Sequence, residues 1–176
     1  MKDELRIYDY KTINVKKICK YRSLDAVSAF GYEVIETKEM PNSLIISLKR
    51  DANIKNKEEL DKMLDNTLKK IEVLNKYEGS KKNKATIFGL SFGILGLLTF
   101  GGGMSLALTE TSFALKYVLG YILGVIGIVI MIINDPLYKN IYQKNINKVL
   151  PKIEELNNEI NKLLIEGNEL LKGSLE

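Results

Sequence analysis

The sequence predicts an α+β membrane protein in four consecutive parts. These are a small cytoplasmic βαββ domain over residues 1–55, a cytoplasmic helix over 56–84, a two-helix transmembrane hairpin over 85–134 and a C-terminal cytoplasmic helix over 135–176. Three observations carry the prediction. Ala85–Leu108 contains no charged residue and Phe113–Ile133 contains only Lys116. Each stretch matches the roughly 20 residues that cross about 30 Å of hydrocarbon. Residues 3–49 carry β-branched and aromatic runs around one helical segment. Apolar residues also recur at helical spacing in both charged segments that flank the hairpin.

Within the first part, Asp3–Val15 mixes Ile, Val, Thr and Tyr with partial alternation, which predicts a strand within 5–15. Lys16–Phe30 has loose helical spacing through Ile18, Ala26, Val27 and Phe30, and Gly31 supplies its stop. Tyr32–Met40 is the second strand, and Pro41-Asn42-Ser43 makes the turn after it. Leu44–Lys49 is the third, with Leu44, Ile46 and Leu48 on one face. So small a domain buries too little surface to stand alone. The following helix, or a second copy of the domain, is expected to cover it.

Gly31-Tyr32-Glu33-Val34-Ile35, followed after a short turn by Leu44–Asp51, resembles small bacterial βαββ domains of unknown function. Those carry a Gly-Trp-Glu-Leu-Val strand and a closing strand ending in Lys-Arg; here Tyr32 stands where Trp is usual. Taken whole, the chain resembles uncharacterised two-span membrane proteins of low-GC Gram-positive bacteria. In those a similar domain precedes a charged helix, a transmembrane hairpin and a C-terminal helix. The resemblance implies a fold and a location, but no activity.

Asn53 or Asn56 can cap the next helix, and Lys57-Glu58-Glu59 opens it with acidic groups suited to the helix dipole. Leu60, Leu64, Thr67 or Leu68, Ile71 and Leu74 form its apolar stripe. The helix is expected to reach about Glu78, where Gly79-Ser80 either interrupts it or lets it continue. The first span then holds eleven Leu, Ile, Phe and Val residues and the second thirteen. At roughly 0.3–0.6 kcal/mol each, the first alone favours insertion by roughly 3–6 kcal/mol before its glycines subtract.

Lys76, Lys81, Lys82 and Lys84 precede the hairpin, and Lys139, Lys144, Lys148 and Lys152 follow it. The loop Thr109-Glu110-Thr111-Ser112 is poor in cations. The positive-inside rule therefore places both termini in the cytoplasm of a two-pass plasma-membrane protein. Phe100, Phe113, Tyr117 and Tyr121 form an aromatic belt at the outer end, and Tyr138 and Tyr142 one at the inner end. Lys116 can snorkel. Ala85, Gly89 and Gly93 repeat every four residues, as do Gly120 and Gly124. Such faces let helix backbones approach closely, either within one hairpin or between subunits. Gly101-Gly102-Gly103 lacks the Gly-Lys-Ser/Thr of a phosphate loop and reads as a bend or frayed end.

After the hairpin, Asn134-Asp135-Pro136 reads as a break, and Pro151 as a kink or restart. Ile146, Val149, Ile153, Leu156, Ile160, Leu163, Gly167 and Leu170 alternate by threes and fours, a coiled-coil seam that Gly167 weakens. The two cytoplasmic helices are expected to pair as an antiparallel coiled-coil stalk. Glu154, Glu155, Glu159, Glu166 and Glu169 would face Lys57, Lys62, Lys69 and Lys70. The other arrangement lays each stripe on the βαββ domain.

Composition narrows the chemistry. With no histidine, the chain lacks the commonest general base and metal ligand. Its one cysteine, Cys19, excludes an intrachain disulfide and is expected to be a small core residue. Neither span carries an ionisable group at mid-depth, which disfavours a proton relay. The net charge of +4 is mild, and its excess just before the hairpin suits anionic lipid rather than nucleic acid. No enzyme activity, cofactor or metal is expected. The expected partners are the lipid bilayer and, through the cytoplasmic domain, a protein or a further copy of the chain. A scaffold of that kind is the leading reading; a small oligomeric channel built from the hairpin is the alternative.

Overall fold

The computed structural model describes residues 7–108 and 114–174. Its elements are β1 (Tyr8–Lys16), α1 (Lys20–Ala29), β2 (Glu33–Glu39), β3 (Ser43–Asp51), α2 (Lys57–Leu108) and α3 (Ala114–Gly173), with a 3-10 turn at Lys17–Cys19. The chain divides into two compact units, one of Met1–Glu78 with Pro151–Glu176, the other of Gly79–Leu150.

In the first unit the strands form a mixed-order antiparallel sheet, β1-β3-β2. Strand β3 is central, and its burial alternates: Leu44, Ile46, Leu48 and Arg50 point inward. That is the period-two pattern of a half-covered sheet. Opposite the inward residues lie Val15, Ile13, Lys11 and Asp9 of β1. The β2–β3 hairpin closes through Met40 N–H donating to Ser43 O at 2.9 Å. Strand β2 carries an irregularity between Val34 and Glu36, so Ile35 is bulged. Helix α1 ends as the sequence implies, with Gly31 at φ +79°, a left-handed conformation that glycine adopts without steric cost.

Helix α2 covers the sheet. Its stripe Leu60, Leu64, Thr67, Ile71 and Leu74 is buried together with Ala26, Val27 and Phe30 of α1. Each large side chain in this core contributes about 1.5–3 kcal/mol of burial. Ion pairs Lys11–Asp65 (2.8 Å), Lys16–Glu72 (2.8 Å) and Arg22–Glu78 (3.1 Å) fasten α2 to β1 and α1. The N-cap position of α2 is Asn56, at φ 61°. Its carbonyl, rather than its side chain, accepts from Glu59 N–H and Leu60 N–H.

The last part of α3 completes this unit. Lys70 and Glu159 pair at 2.6 Å, and the Lys152 ammonium lies 5.7 Å from the centroid of the Tyr77 ring. Gly167 lies against the Phe30 ring, and Gly31 against Leu171. The helix end therefore packs on the βαββ domain as well as on α2, a departure from a stalk that touches only its partner helix. The reason lies in size: Gly167 does not weaken a seam here but makes room for Phe30.

In the second unit, α2 and α3 run antiparallel. The break expected at Asn134-Asp135-Pro136 is absent, as is a restart at Pro151, and α3 stays helical through both prolines. A proline inside a helix forfeits one hydrogen bond and costs about 3 kcal/mol. Pairing of the two helices outweighs it, and Asn134 is drawn into that pairing instead of capping a new helix. Similarly, α2 runs through Gly79-Ser80 and Gly101-Gly102-Gly103 without interruption. The polar loop Thr109–Ser112 with Glu110, Phe113 of the outer aromatic belt, and the Lys116 side chain lie outside the described residues.

Candidate interaction surfaces

The hairpin seam is built from absent side chains. A Cβ on Gly127 would lie 2.5 Å from Phe100 N, one on Gly120 2.7 Å from Gly103 O, and one on Gly103 2.6 Å from Gly124 N. Real Cβ atoms do not sit that close to backbone, so these positions admit only glycine. Gly96 meets Met131 and Ile130, and Gly89 meets the Tyr138 ring. Of the small residues singled out in the sequence, Ala85 is fully buried, Gly89 and Gly93 face Tyr138 and Asn134, and Gly120 abuts α2. A Cβ on Gly124 would meet nothing within 4 Å.

Sequence reasoning on four-residue spacing missed Gly96, Gly103 and Gly127. The signal was a seven-residue one. Gly89, Gly96 and Gly103 recur every seven residues, and so do Gly120, Gly127 and Asn134. That is the period of two helices packed along a single seam.

Two asparagines fix the seam's register. Asn134 Nδ2 donates to Gly89 O at 3.0 Å, and Asn145 Nδ2 donates to Ser80 O at 2.6 Å and Lys81 O at 3.0 Å. A polar group in an apolar seam specifies alignment, because a slipped register leaves it unpaired. Tyr138 and Tyr142 stack beside them with centroids 6.2 Å apart. The Thr99 hydroxyl donates to Leu95 O of its own helix at 2.8 Å. The large side chains point the other way: Ile87, Leu98, Leu115 and Ile132 are all exposed. Both helices are long and apolar enough to cross a membrane, and the most apolar window of each is only 11% buried.

The predicted coiled-coil positions divide. Val149, Ile153, Ile160 and Gly167 are buried, while Ile146, Leu156, Leu163 and Leu170 are half-buried. Of the expected cross-helix ion pairs, Lys70–Glu159 forms. Lys57 instead meets Asp9 at 3.0 Å, and Glu166 meets Lys162 on its own helix at 3.7 Å.

At the sheet, among the described residues β2 has no neighbour on one side, and every one of its own residues is exposed. Its inner end is anchored firmly. Arg50, only 2% exposed, bonds Asp61 at 3.1 Å and lies 4.3 Å from the centroid of the Tyr32 ring. The Tyr32 hydroxyl donates to the same Asp61 oxygen at 2.8 Å. Burial, with help from that bond, holds the Tyr32 hydroxyl well above its usual pKa, while Arg50 opposes the shift. Nε and Nη1 of Arg50 have no partner. The ring face and Asp61 compensate its buried charge. Nothing but its even spacing from Leu44, Ile46 and Leu48 marks Arg50 as inward-facing in the sequence.

At the opposite edge of the sheet, β1 and α2 bound a groove of about 540 Å³ lined by Ile13, Cys19, Ser23 and Leu68, together with Lys16 and Glu72. The last two stabilise each other's charged forms: their hydrogen bond lowers the Glu72 pKa and raises that of Lys16. Cys19 is buried as expected and accepts a hydrogen bond from Asn75 Nδ2 at 2.9 Å. Burial pushes its pKa up, so it stays a thiol at neutral pH. Among the described residues no three His, Cys, Asp or Glu side chains gather as metal ligands would. Comparison with protein-family models, curated proteins and solved structures found no match.

Proposed function

We propose that the chain is a membrane-anchored, non-enzymatic interaction protein that associates with further copies of itself. Both termini face the cytoplasm, and the hairpin serves as anchor. The observation that supports this best is the reversal of packing in the Gly79–Leu150 unit. Glycines and asparagines occupy the seam while leucines and isoleucines face outward. In water such a surface far exceeds the apolar patches a monomer tolerates; in lipid it is the expected one. The lysines on either side of the hairpin favour the inward orientation. The Lys70–Glu159 pair and the buried Val149, Ile153 and Ile160 support an antiparallel coiled coil between the cytoplasmic helices. The likeness to two-span proteins with an N-terminal βαββ domain agrees with this arrangement.

A channel is the weaker reading. Pore formation through the glycine faces would require them between subunits, but Gly96, Gly103, Gly120 and Gly127 serve the hairpin's own seam.

Three measurements test the proposal. The chain should remain in membranes after carbonate washing. Tags at either terminus should resist protease added outside intact cells. The detergent-solubilised particle should weigh at least twice the 19.9 kDa chain. A freely soluble chain or an external terminus overturns the anchor, and a monomer overturns self-association.

A further inference from the structure

We infer that β2 is a homotypic docking edge, through which two copies join their sheets by antiparallel β2–β2 pairing centred on Thr37. This rests on the self-association proposed above and specifies its surface.

The backbone parity comes first. Met40 N–H donates to Ser43 O across the hairpin, so Met40 directs its N–H toward β3. In an antiparallel ladder successive residues alternate between hydrogen-bonded and non-bonded positions. Lys38 and Glu36 therefore also face β3, paired with Ile45 and Ser47, while Thr37 and Glu39 direct theirs to the free edge. An edge with its donors and acceptors turned outward is a template for another strand.

Charge then selects the partner and the register. Glu33 is held by Lys49 at 3.0 Å and Glu39 by Lys17 at 3.2 Å. Among the described residues, Glu36 and Lys38 have no ion pair. They lie on one face of β2, two residues apart, with opposite charge. A second β2 laid antiparallel with Thr37 opposite Thr37 places Glu36 opposite Lys38 twice. Moving the centre to Glu36 sets Glu36 against Glu36 and Glu33 against Glu39. Moving it to Lys38 sets lysine against lysine. Like charges directly opposite are destabilising and unlike ones stabilising. Odd shifts would place edge-facing donors opposite groups already used by β3. The strand is thus complementary to itself in one register. Val34, Ile35 and Met40, each more than two-fifths exposed, lie along the same edge and would lose water on pairing.

The test uses the full-length chain in membranes and in detergent. Thr37→Cys should form a disulfide-linked dimer on mild oxidation, since opposed residues in such a ladder lie within disulfide reach. Asn14→Cys, at an exposed position of β1, should not, and neither should the unmodified chain with its buried Cys19. Glu36→Lys and Lys38→Glu should each weaken dimerisation about tenfold, while the double exchange restores it. Circular dichroism establishes that each variant is folded. If the particle is multimeric yet Thr37→Cys does not cross-link, or the double exchange fails to rescue, the β2 pairing is wrong and self-association lies elsewhere. If the particle is monomeric, both fall together.

Discussion

The two units solve opposite packing problems with the same residue types. In the sheet-bearing unit, Leu44, Ile46, Leu48, Leu60, Leu64, Ile71 and Leu74 are each at most 1% exposed. In the hairpin unit the interior is glycine, alanine and asparagine, while Leu98 and Ile132 are each 69% exposed. Burial of large apolar groups drives folding only where water is the alternative. Where lipid is the alternative, leucine gains nothing by turning inward, and close backbone approach becomes the attraction.

The largest expected effect follows directly. Leu64→Ala leaves a cavity in the first unit and should cost about 3 kcal/mol in thermal or denaturant unfolding. Leu98→Ala removes the same atoms from an outward position, so it should change stability in detergent by less than about 0.5 kcal/mol. Equal costs for the two would show that Leu98 is buried against other protein atoms, and the contrast would dissolve.

Glycines invert the ranking. Gly127→Ala adds a methyl 2.5 Å from Phe100 N, where backbone must move, so a loss of about 1–3 kcal/mol is expected. Gly124→Ala meets nothing within 4 Å and gains helix propensity, so it should be neutral or slightly stabilising. The readout is thermal unfolding of solubilised protein, with a cysteine pair across α2 and α3 reporting whether the seam stays closed. A Gly124 variant as damaged as Gly127 would mean that this face meets another subunit.

The same contrast explains what was legible in the sequence. Strands, α1 and the stripe of α2 announce themselves because large apolar residues mark buried positions, at period two or 3.6. Leu44, Ile46 and Leu48 needed no structure. The two long apolar helices are equally plain from their length. The seam was not, because its markers are residues that lack side chains, and the four-residue motif drew attention to Gly93 and Gly124 over Gly96, Gly103 and Gly127. The break expected at Pro136 and a restart at Pro151 do not occur, since proline's local cost is fixed while the pairing that overrides it is tertiary. Arg50 was hidden for the converse reason. A charge reads as surface unless its partners, here Tyr32 and Asp61, are known to converge on it from the α1–β2 connection and from α2.

That convergence carries the smallest expected effect and the one most specific to the first unit. The neutral Tyr32 phenol is favoured in the folded chain by burial and by its bond to Asp61, so its folded pKa lies above the unfolded value of about 10. A group whose pKa rises on folding contributes its full stability below the unfolded value. The contribution then declines as pH rises through the folded value. Tyr32→Phe removes the hydroxyl and should cost about 1.5 kcal/mol at neutral pH. The gap between the parent and this variant should stay constant up to about pH 10 and narrow above it. Lysines such as Lys16 and Lys49, whose pKa values are also raised by their carboxylate partners, titrate in both chains and cancel in the difference. A gap that persists unchanged at alkaline pH would mean that neither burial nor the bond to Asp61 favours the neutral Tyr32 phenol in the folded chain.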